Sequence, residues 1–474
     1  MKLKNALIIF LTFSSLIFSQ GTSSNVVTKL EGVLSNKFFT STSTALEIYN
    51  LSENKLIYSK NAGLLLRPAS TLKILTSLTA LYYLDEAYTF DTKIYYTGKI
   101  INSVLYGDLF VVGGGDPEFD LESLSLLATK ISDSGIKKIT GNLYGDVSMC
   151  DSLFWGNGWM WDDDPYAFTP YLSPLILNKS VSEIHYSPGE IGSPVEVSVT
   201  PQSKFFNILN TSTTIAEDTS DFHVTRDWLN RSNELLVSGT LSRKAKSDTV
   251  YRNIFAPQNF FLQVFSEYLD STGINFSGII DTLEVPDSGA TPLLIFSQPL
   301  DTVLFYMNKE SDNLNAEMVL RALAKKRNEK RVSAKDGMIS LDSLITKVGL
   351  NPKTYKIADG SGLSFYNLIT AELLSEVLRY TYYHYPDIYY RLINTLPIAG
   401  IDGTLKDRLK KNGCYNNLKG KTGTISGVSC LTGTLKSSSG DDILFTIMMQ
   451  NYVASARIAR TLQDKICRIL YDEL

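Results

Sequence analysis

Ser70-Thr71-Leu72-Lys73 sets a hydroxyl and an amine three residues apart. Side chains at that spacing are neighbours on one face of a helix, so the amine can reach the hydroxyl. The same spacing recurs at Ser52/Lys55 and Ser134/Lys137, and the pair alone decides nothing. Its surroundings separate it from the other two. Pro68 is tolerated in a first helical turn, where its missing N–H costs nothing, and Leu72, Ile74, Leu75, Leu78 and Leu81 then spread around the helix circumference. A helix apolar on nearly every side is a buried one. Ser70 is therefore expected at the rim of a rigid central helix, its hydroxyl near the positive end of the helix dipole.

Two further short motifs follow in order, Ser311-Asp312-Asn313 and Lys421-Thr422-Gly423-Thr424. A serine hydroxyl is a poor nucleophile until a neighbouring base takes its proton. The three histidines, His185, His223 and His384, lie near none of the motifs, and no G-x-S-x-G occurs, which leaves lysine as the base. Lys73 must be neutral to serve, and burial beside a second cation lowers a lysine pKa. Lys421 is the candidate for that cation. Ser311 can relay a proton to a leaving amine, and Asn313 offers a donor and an acceptor to a substrate amide. The Ser70 and Thr424 backbone N–H groups are candidates for an oxyanion hole, commonly worth about 3 to 4 kcal/mol per donor. Lys421, Thr422, Gly423 and Thr424 are expected on an edge strand that binds a carboxylate. With a period of two, Thr422 and Thr424 share a face.

A chain of 474 residues exceeds one ordinary core and predicts two or three domains. The stretch from Lys73 to Ser311 is about twice as long as that from Asn313 to Lys421, enough to hold an insertion. Beyond Phe90 short β-rich runs such as Lys93-Ile94-Tyr95-Tyr96 alternate with Gly- and Asp-rich turns as far as Asp287-Ser288-Gly289. Helical patterning then resumes over residues 300–326, with Leu314, Met318 and Ala322 on one face, and residues 420–435 carry strand composition. The expected organisation is a discontinuous catalytic domain of residues 21–91 and 291–474, interrupted by a β-rich insertion over 92–290 that forms two small domains.

Residues 1–20 have the pattern of a secretory signal: Lys2 and Lys4, an apolar run from Ala6 to Phe18, then small and polar residues. That run falls short of the ~20 residues a spanning helix needs, and no later stretch qualifies. The rest of the chain is therefore expected outside the inner membrane, in the periplasm, with no stable span. A net charge of -4 with 44% hydrophobic residues implies no basic face, so nucleic acid is not an expected partner. Cys150, Cys414, Cys430 and Cys467 match no metal knuckle or C-x-x-C pair, leaving buried thiols or one incidental bridge. Asp162-Asp163-Asp164 lacks the EF-hand spacing, and Gly113-Gly114-Gly115 lacks the lysine of a phosphate loop, so no metal or cofactor is expected. Ile458, Leu462, Ile466 and Leu470 mark an amphipathic C-terminal helix.

The ordered S-x-x-K, S-x-N and K-T-G set is shared by penicillin-binding proteins and serine β-lactamases. Together with Gly113-Gly114-Gly115-Asp116-Pro117, Gly158-Trp159-Met160-Trp161-Asp162-Asp163 and Asp359-Gly360-Ser361-Gly362-Leu363-Ser364, it makes the chain resemble the type-4 penicillin-binding proteins. The resemblance implies a transpeptidase-like mixed α/β fold, an antiparallel sheet flanked by helices with two mainly β inserted domains. It also implies D-alanyl-D-alanine carboxypeptidase and endopeptidase activity on peptidoglycan stem peptides, acylation by β-lactams, and no cofactor. By the same resemblance Asp163 and Phe168 match positions that recognise the free amine of the stem peptide's diamino acid. Phe365 stands where the family often has a substrate-contacting arginine, which weakens the case for an acidic partner there. A serine β-lactamase is the nearest alternative, but it needs a water-activating carboxylate, and no E-x-x-L-N-like segment precedes Ser311. A non-catalytic wall-binding or β-lactam-sensing module would commonly have lost a motif, and none is lost.

Overall fold

The computed structural model describes residues 25–327 and 330–474; the signal-peptide expectation over residues 1–20 lies outside them. The chain is a mixed α/β structure whose contacts divide it into two units. One holds the described residues up to Tyr83 with Leu304–Asp312 and Met338–Leu474, and the other holds Leu84–Val303 with Asn313–Gly337.

The first unit is built on a five-stranded antiparallel sheet, in the order Lys419–Ile425, Val428–Lys436, Asp442–Gln450, Ser43–Asn50, Lys55–Lys60. One face packs on the helix over residues 25–34 and on Ala456–Glu473 through Leu30, Leu431, Phe445, Ile447, Ile466 and Leu470. Toward the other face the helix Ala371–His384, capped where the Leu373 N–H donates to Thr370 Oγ1, bonds the sheet through Ser375 Oγ to Thr446 Oγ1 at 3.0 Å. Helix Leu72–Tyr83 is buried along nearly its whole length, as its all-round apolar composition demands.

Three readings shift. Residues 420–435 form a hairpin of two strands rather than one, turning at Ser426-Gly427, where Gly427 has φ 67°. The helical run over 300–326 breaks into Leu300–Lys309 and Asn313–Lys325, because Ser311 takes a left-handed φ of 63° that no helix can carry through. The C-terminal stripe buries Leu462, Ile466 and Leu470 but leaves Ile458 47% exposed, since the helix's first turn overhangs the core and Ala459 takes the inward place.

Two core clusters are described within the second unit. A five-stranded sheet of Ile280–Thr282, Leu143–Asp146, Leu109–Val112, Thr89–Thr97 and Ala290–Pro299 is covered by helices Leu121–Asp133 and Pro257–Ser271. A smaller all-β cluster is formed by Ile184, Val199, Val224, Leu235 and Val237. Strand Ala290–Pro299 pairs with Thr89–Thr97, so the texture change expected at 91 and 291 falls inside two partnered strands. Gly113 and Gly114 are a turn: a Cβ on either would lie 2.5 Å or less from the backbone of Pro174 or Asp91. All four cysteines are free thiols. Among the described residues no helix is long and apolar enough to cross a membrane.

Candidate active site

The nucleophile candidate sits on a strained turn. Ala69 has φ 47°, Ala69–Thr71 form a single 3₁₀ turn, and the α-helix begins at Leu72. A left-handed alanine costs roughly 1–2 kcal/mol and persists only where its neighbours over-determine it. Two glycines do so. A Cβ on Gly362 would lie 1.9 Å from the Ala69 carbonyl oxygen, and one on Gly423 would lie 2.9 Å from the Ser70 nitrogen. Gly423 thus lets the edge strand Lys419–Ile425 lie directly against the Ser70 turn.

Lys73 Nζ donates to Ser70 Oγ at 3.0 Å and to the Ser361 carbonyl at 2.7 Å, and Thr76 Oγ1 donates to the Gly360 carbonyl at 2.7 Å. Lys421 Nζ donates to Ser311 Oγ at 2.7 Å and to its neighbour's carbonyl, Thr422 O, at 3.1 Å. Both lysines are fully buried. Burial, and then repulsion from Lys73, holds the Lys421 ammonium well below the usual lysine range. The two buried amines thus lie close enough to repel each other when both are charged. The other two Ser/Lys pairs do different work. Ser52 Oγ accepts the Asp442 N–H at 2.9 Å, and Ser134 Oγ donates to the Ile131 carbonyl at 2.6 Å while Lys137 turns to Ser132.

On the edge strand Lys421 and Gly423 point inward while Thr422 is half-buried and Thr424 exposed. Thr422 Oγ1 donates to Thr404 Oγ1 at 2.7 Å. The strand ends its sheet among the described residues, so its outer backbone groups face away from any strand partner. The loop that receives Lys73 is tied around buried Asp359. Its carboxylate accepts the N–H groups of Gly362 and Ser364, the Asn367 amide at 2.7 Å and the Ser361 hydroxyl at 3.1 Å.

Asn313, Phe168 and Asp163 belong to the other unit. Asn313 opens the helix Asn313–Lys325, and its Nδ2 donates to the Phe168 carbonyl at 2.7 Å. Phe168 is 50% exposed and stacks on Tyr166 at 5.6 Å. Asp163 is half-buried in the same segment, and burial, then the charge of Asp162, raises its carboxyl pKa above the ordinary range. Behind it Asp164 is buried against Arg226.

A model of the D-Ala-D-Ala carboxypeptidase 3 (S13) family matches residues 26–472. The chain belongs to that family. It is 30% identical to the D-alanyl-D-alanine carboxypeptidase DacB of Haemophilus influenzae over 90% of this chain and 89% of the relative, and 27% identical to the D-alanyl-D-alanine carboxypeptidase of Actinomadura sp. over 92% and 81%. The crystal structure of penicillin binding protein 4 (DacB) from H. influenzae superposes with a TM-score of 0.82 at 26% identity, covering 95% of this chain and 98% of that one. The same protein complexed with a β-lactam superposes at 0.76 with 25% identity. The fold is accordingly the transpeptidase-like one of this family.

Phe365, which stands where the resemblance implies a cation, lies beside one from elsewhere in the chain: Arg67 Nε donates to the Phe365 carbonyl at 3.1 Å and its guanidinium carbon lies 5.4 Å from the ring centroid. Arg67 and Thr404 were not singled out from the sequence, and Asp359 entered only as the first residue of a motif shared with the family. Arg67 stands three residues before Ser70 and could have been suspected, whereas Thr404 meets Thr422 only through the fold.

Proposed function

We propose that this enzyme is an exported D-alanyl-D-alanine carboxypeptidase and endopeptidase that cleaves peptidoglycan stem peptides through a Ser70 acyl-enzyme. One observation carries the reading: a buried lysine 3.0 Å from Ser70 Oγ shares a unit with a second buried lysine 2.7 Å from Ser311 Oγ. Membership of the S13 family and the printed activity of its DacB relative supply the reaction class. The unit bearing Ser70 is taken as the catalytic domain and the β-rich remainder as its insertion. The sequence pattern of residues 1–20 supports export to the periplasm.

Lys73 Nζ takes the Ser70 proton as Oγ attacks the carbonyl carbon before the terminal D-Ala. The oxygen of that carbonyl gains negative charge, which the Ser70 and Thr424 N–H groups stabilise by preorganised donation. Collapse breaks the C–N bond. The departing amine takes, by way of Ser311, the proton that Lys73 took from Ser70, while Lys421 holds the Ser311 hydroxyl in place. Water then adds to the ester and gives a proton to Lys73, which returns it to Ser70 Oγ as the ester bond breaks. Thr422, Gly423 and Thr424 present the edge that holds the terminal carboxylate, Asn313 orients the substrate amide, and Asp163 with Phe168 meets the free amine of the stem peptide. A β-lactam enters the same step, its strained amide acylating Ser70 without a departing fragment.

Intact-mass measurement after exposure to penicillin tests the reading directly. The wild type should gain one adduct on Ser70, Ser70→Ala none, and Lys73→Ala should acylate ~10²–10⁴-fold more slowly, as loss of a general base predicts. Undiminished acylation of Lys73→Ala would remove Lys73 from the mechanism. Digestion of purified muropeptides should release D-Ala, and product masses would divide carboxypeptidase from endopeptidase cuts.

A further inference from the structure

Arg67 is held from several directions and left open at one edge. Its backbone N–H donates to Gln450 Oε1 at 3.0 Å, and its carbonyl accepts the Cys430 thiol at 3.6 Å. Its side chain lies over the Phe365 ring and spends Nε on the Phe365 carbonyl. A guanidinium carries five N–H donors in a planar fork. One is used, and among the described residues no hydrogen bond or ion pair engages the two terminal nitrogens. The side chain is half-buried, so its plane is fixed while its terminal edge reaches solvent. That edge is the part of an arginine that grips a carboxylate with two parallel bonds.

The surroundings are cationic as well. Phe365 and Ser361 lie in one loop, knotted around Asp359, so the residue that seats Arg67 and the carbonyl that receives Lys73 are carried by the same rigid segment. On the next residue Lys356 Nζ lies 4.9 Å from the Tyr366 ring centroid. Neither Arg67 nor Lys356 joins an ion pair among the described residues. Asp359, the loop's own carboxylate, is buried and turned inward to four donors. A strut needed only to brace the loop would have no use for an open pair of charged donors.

We propose that Arg67 is a specificity-determining residue that receives a carboxylate of the stem peptide other than its C-terminal one, with Phe365 acting as the plate that orients the guanidinium. This rests on the function proposed above, in which the Lys421–Thr424 strand takes the terminal carboxylate. The ring contact and the Nε bond are made before substrate arrives, so little rotamer freedom is lost on binding.

The test compares two pentapeptides ending in D-Ala-D-Ala. They are identical except that the side chain of the residue before the two alanines ends in a carboxylate in one and a carboxamide in the other. The wild type should favour the carboxylate peptide by about tenfold or more in kcat/KM, carried mainly in KM. Arg67→Gln should bring that ratio to about one. Arg67→Lys, which keeps charge but loses the fork, should fall between, and Phe365→Leu should reduce the preference while retaining the carbonyl partner. A wild-type ratio near one, or a full preference surviving in Arg67→Gln, overturns the proposal. An equal loss on both peptides in all three variants would make Arg67 a brace and overturn it too. Failure of the wild type to cut either peptide would instead defeat the underlying carboxypeptidase reading, and the proposal with it.

Discussion

Replacing Gly423 by alanine should slow acylation far more than it harms folding. A Cβ at 423 would lie 2.8 Å from the Pro68 carbonyl oxygen, 2.9 Å from the Ser70 nitrogen and 3.0 Å from the Thr71 nitrogen. Carbon needs roughly 3.5 Å or more from such atoms. All three belong to backbone, and to a turn already braced by left-handed Ala69 against Gly362. The turn cannot yield, so the edge strand must retreat by about half an ångström, taking Lys421 and Thr424 with it. Overpacking of this kind costs about 1–3 kcal/mol. Gly423 has no left-handed φ, so alanine also trims the unfolded chain's entropy and returns about 0.4–1 kcal/mol. The net loss of stability is therefore small, while a displacement approaching 1 Å among reacting groups can cost ~10²-fold in rate.

The expected result is a penicillin acylation rate ~10–100-fold lower, with a melting temperature only slightly reduced. Fluorescent penicillin in a stopped-flow time course, beside a thermal melt, measures both. Gly420→Ala is the control, because the nearest atom to its Cβ would be the Thr432 carbonyl at 3.2 Å and the next a Leu431 methyl at 3.4 Å. Acylation of Gly423→Ala within twofold of wild type, or a Gly420→Ala defect of equal size, would refute the close-approach argument.

Lys421→Met should abolish acylation yet raise thermal stability at neutral pH. The folded-state pKa of Lys421 lies below its unfolded value, so folding releases its proton and stability rises with pH until the ordinary 10.5; the melting-temperature gain of the variant should shrink over that range. Glu47 is buried, and burial, with Glu372 and Glu376 adding to it, pushes its carboxyl up to about 7 from an ordinary 4.5. Its folded state binds the proton more tightly, so stability falls as pH rises from 4.5 to 7; Glu47→Gln should gain up to about 3 kcal/mol at pH 8 and nothing at pH 4, by urea unfolding at both. Asp359→Ala removes the knot of the loop beneath Lys73 and should cost about 3–5 kcal/mol, with acylation falling in parallel, as measured by denaturation and penicillin adduct formation.

How much of this was legible in the chain depended on whether the chemistry is local. Ser70 and Lys73 meet because a helix brings residues three apart together, and the apolar positions around them announce that the helix is buried. The inward place of Lys421 and Gly423 follows from the two-residue period of a strand. The change of texture near residues 91 and 291 does not reveal that the strands there are partners: Thr89–Thr97 and Ala290–Pro299 pair across some 200 residues, and neither announces which side of a boundary it serves. Helix Asn313–Lys325 was read as continuing its predecessor because composition says nothing of Ser311's left-handed turn.

Phe365 shows why a gap in a motif is weak evidence for a gap in a site. Read along the chain, an aromatic ring in place of a cation removes a charge, and the loss of an acidic partner follows. In space the same ring lies beneath an arginine from almost 300 residues away, 5.4 Å from its guanidinium carbon, with its backbone carbonyl fixing the arginine's inner nitrogen. A guanidinium on a flexible stem must lose rotamer freedom to bind; one already held by a ring and a hydrogen bond has lost part of it in folding. The substitution therefore does not delete the charge but changes which residue carries it and how rigidly. On this argument Phe365 and Arg67 act as a unit. Replacing Phe365 by arginine, which would set two cations side by side, should weaken the enzyme's preference between carboxylate and carboxamide peptides rather than strengthen it, and a sharpened preference in Phe365→Arg would show the two positions to be independent.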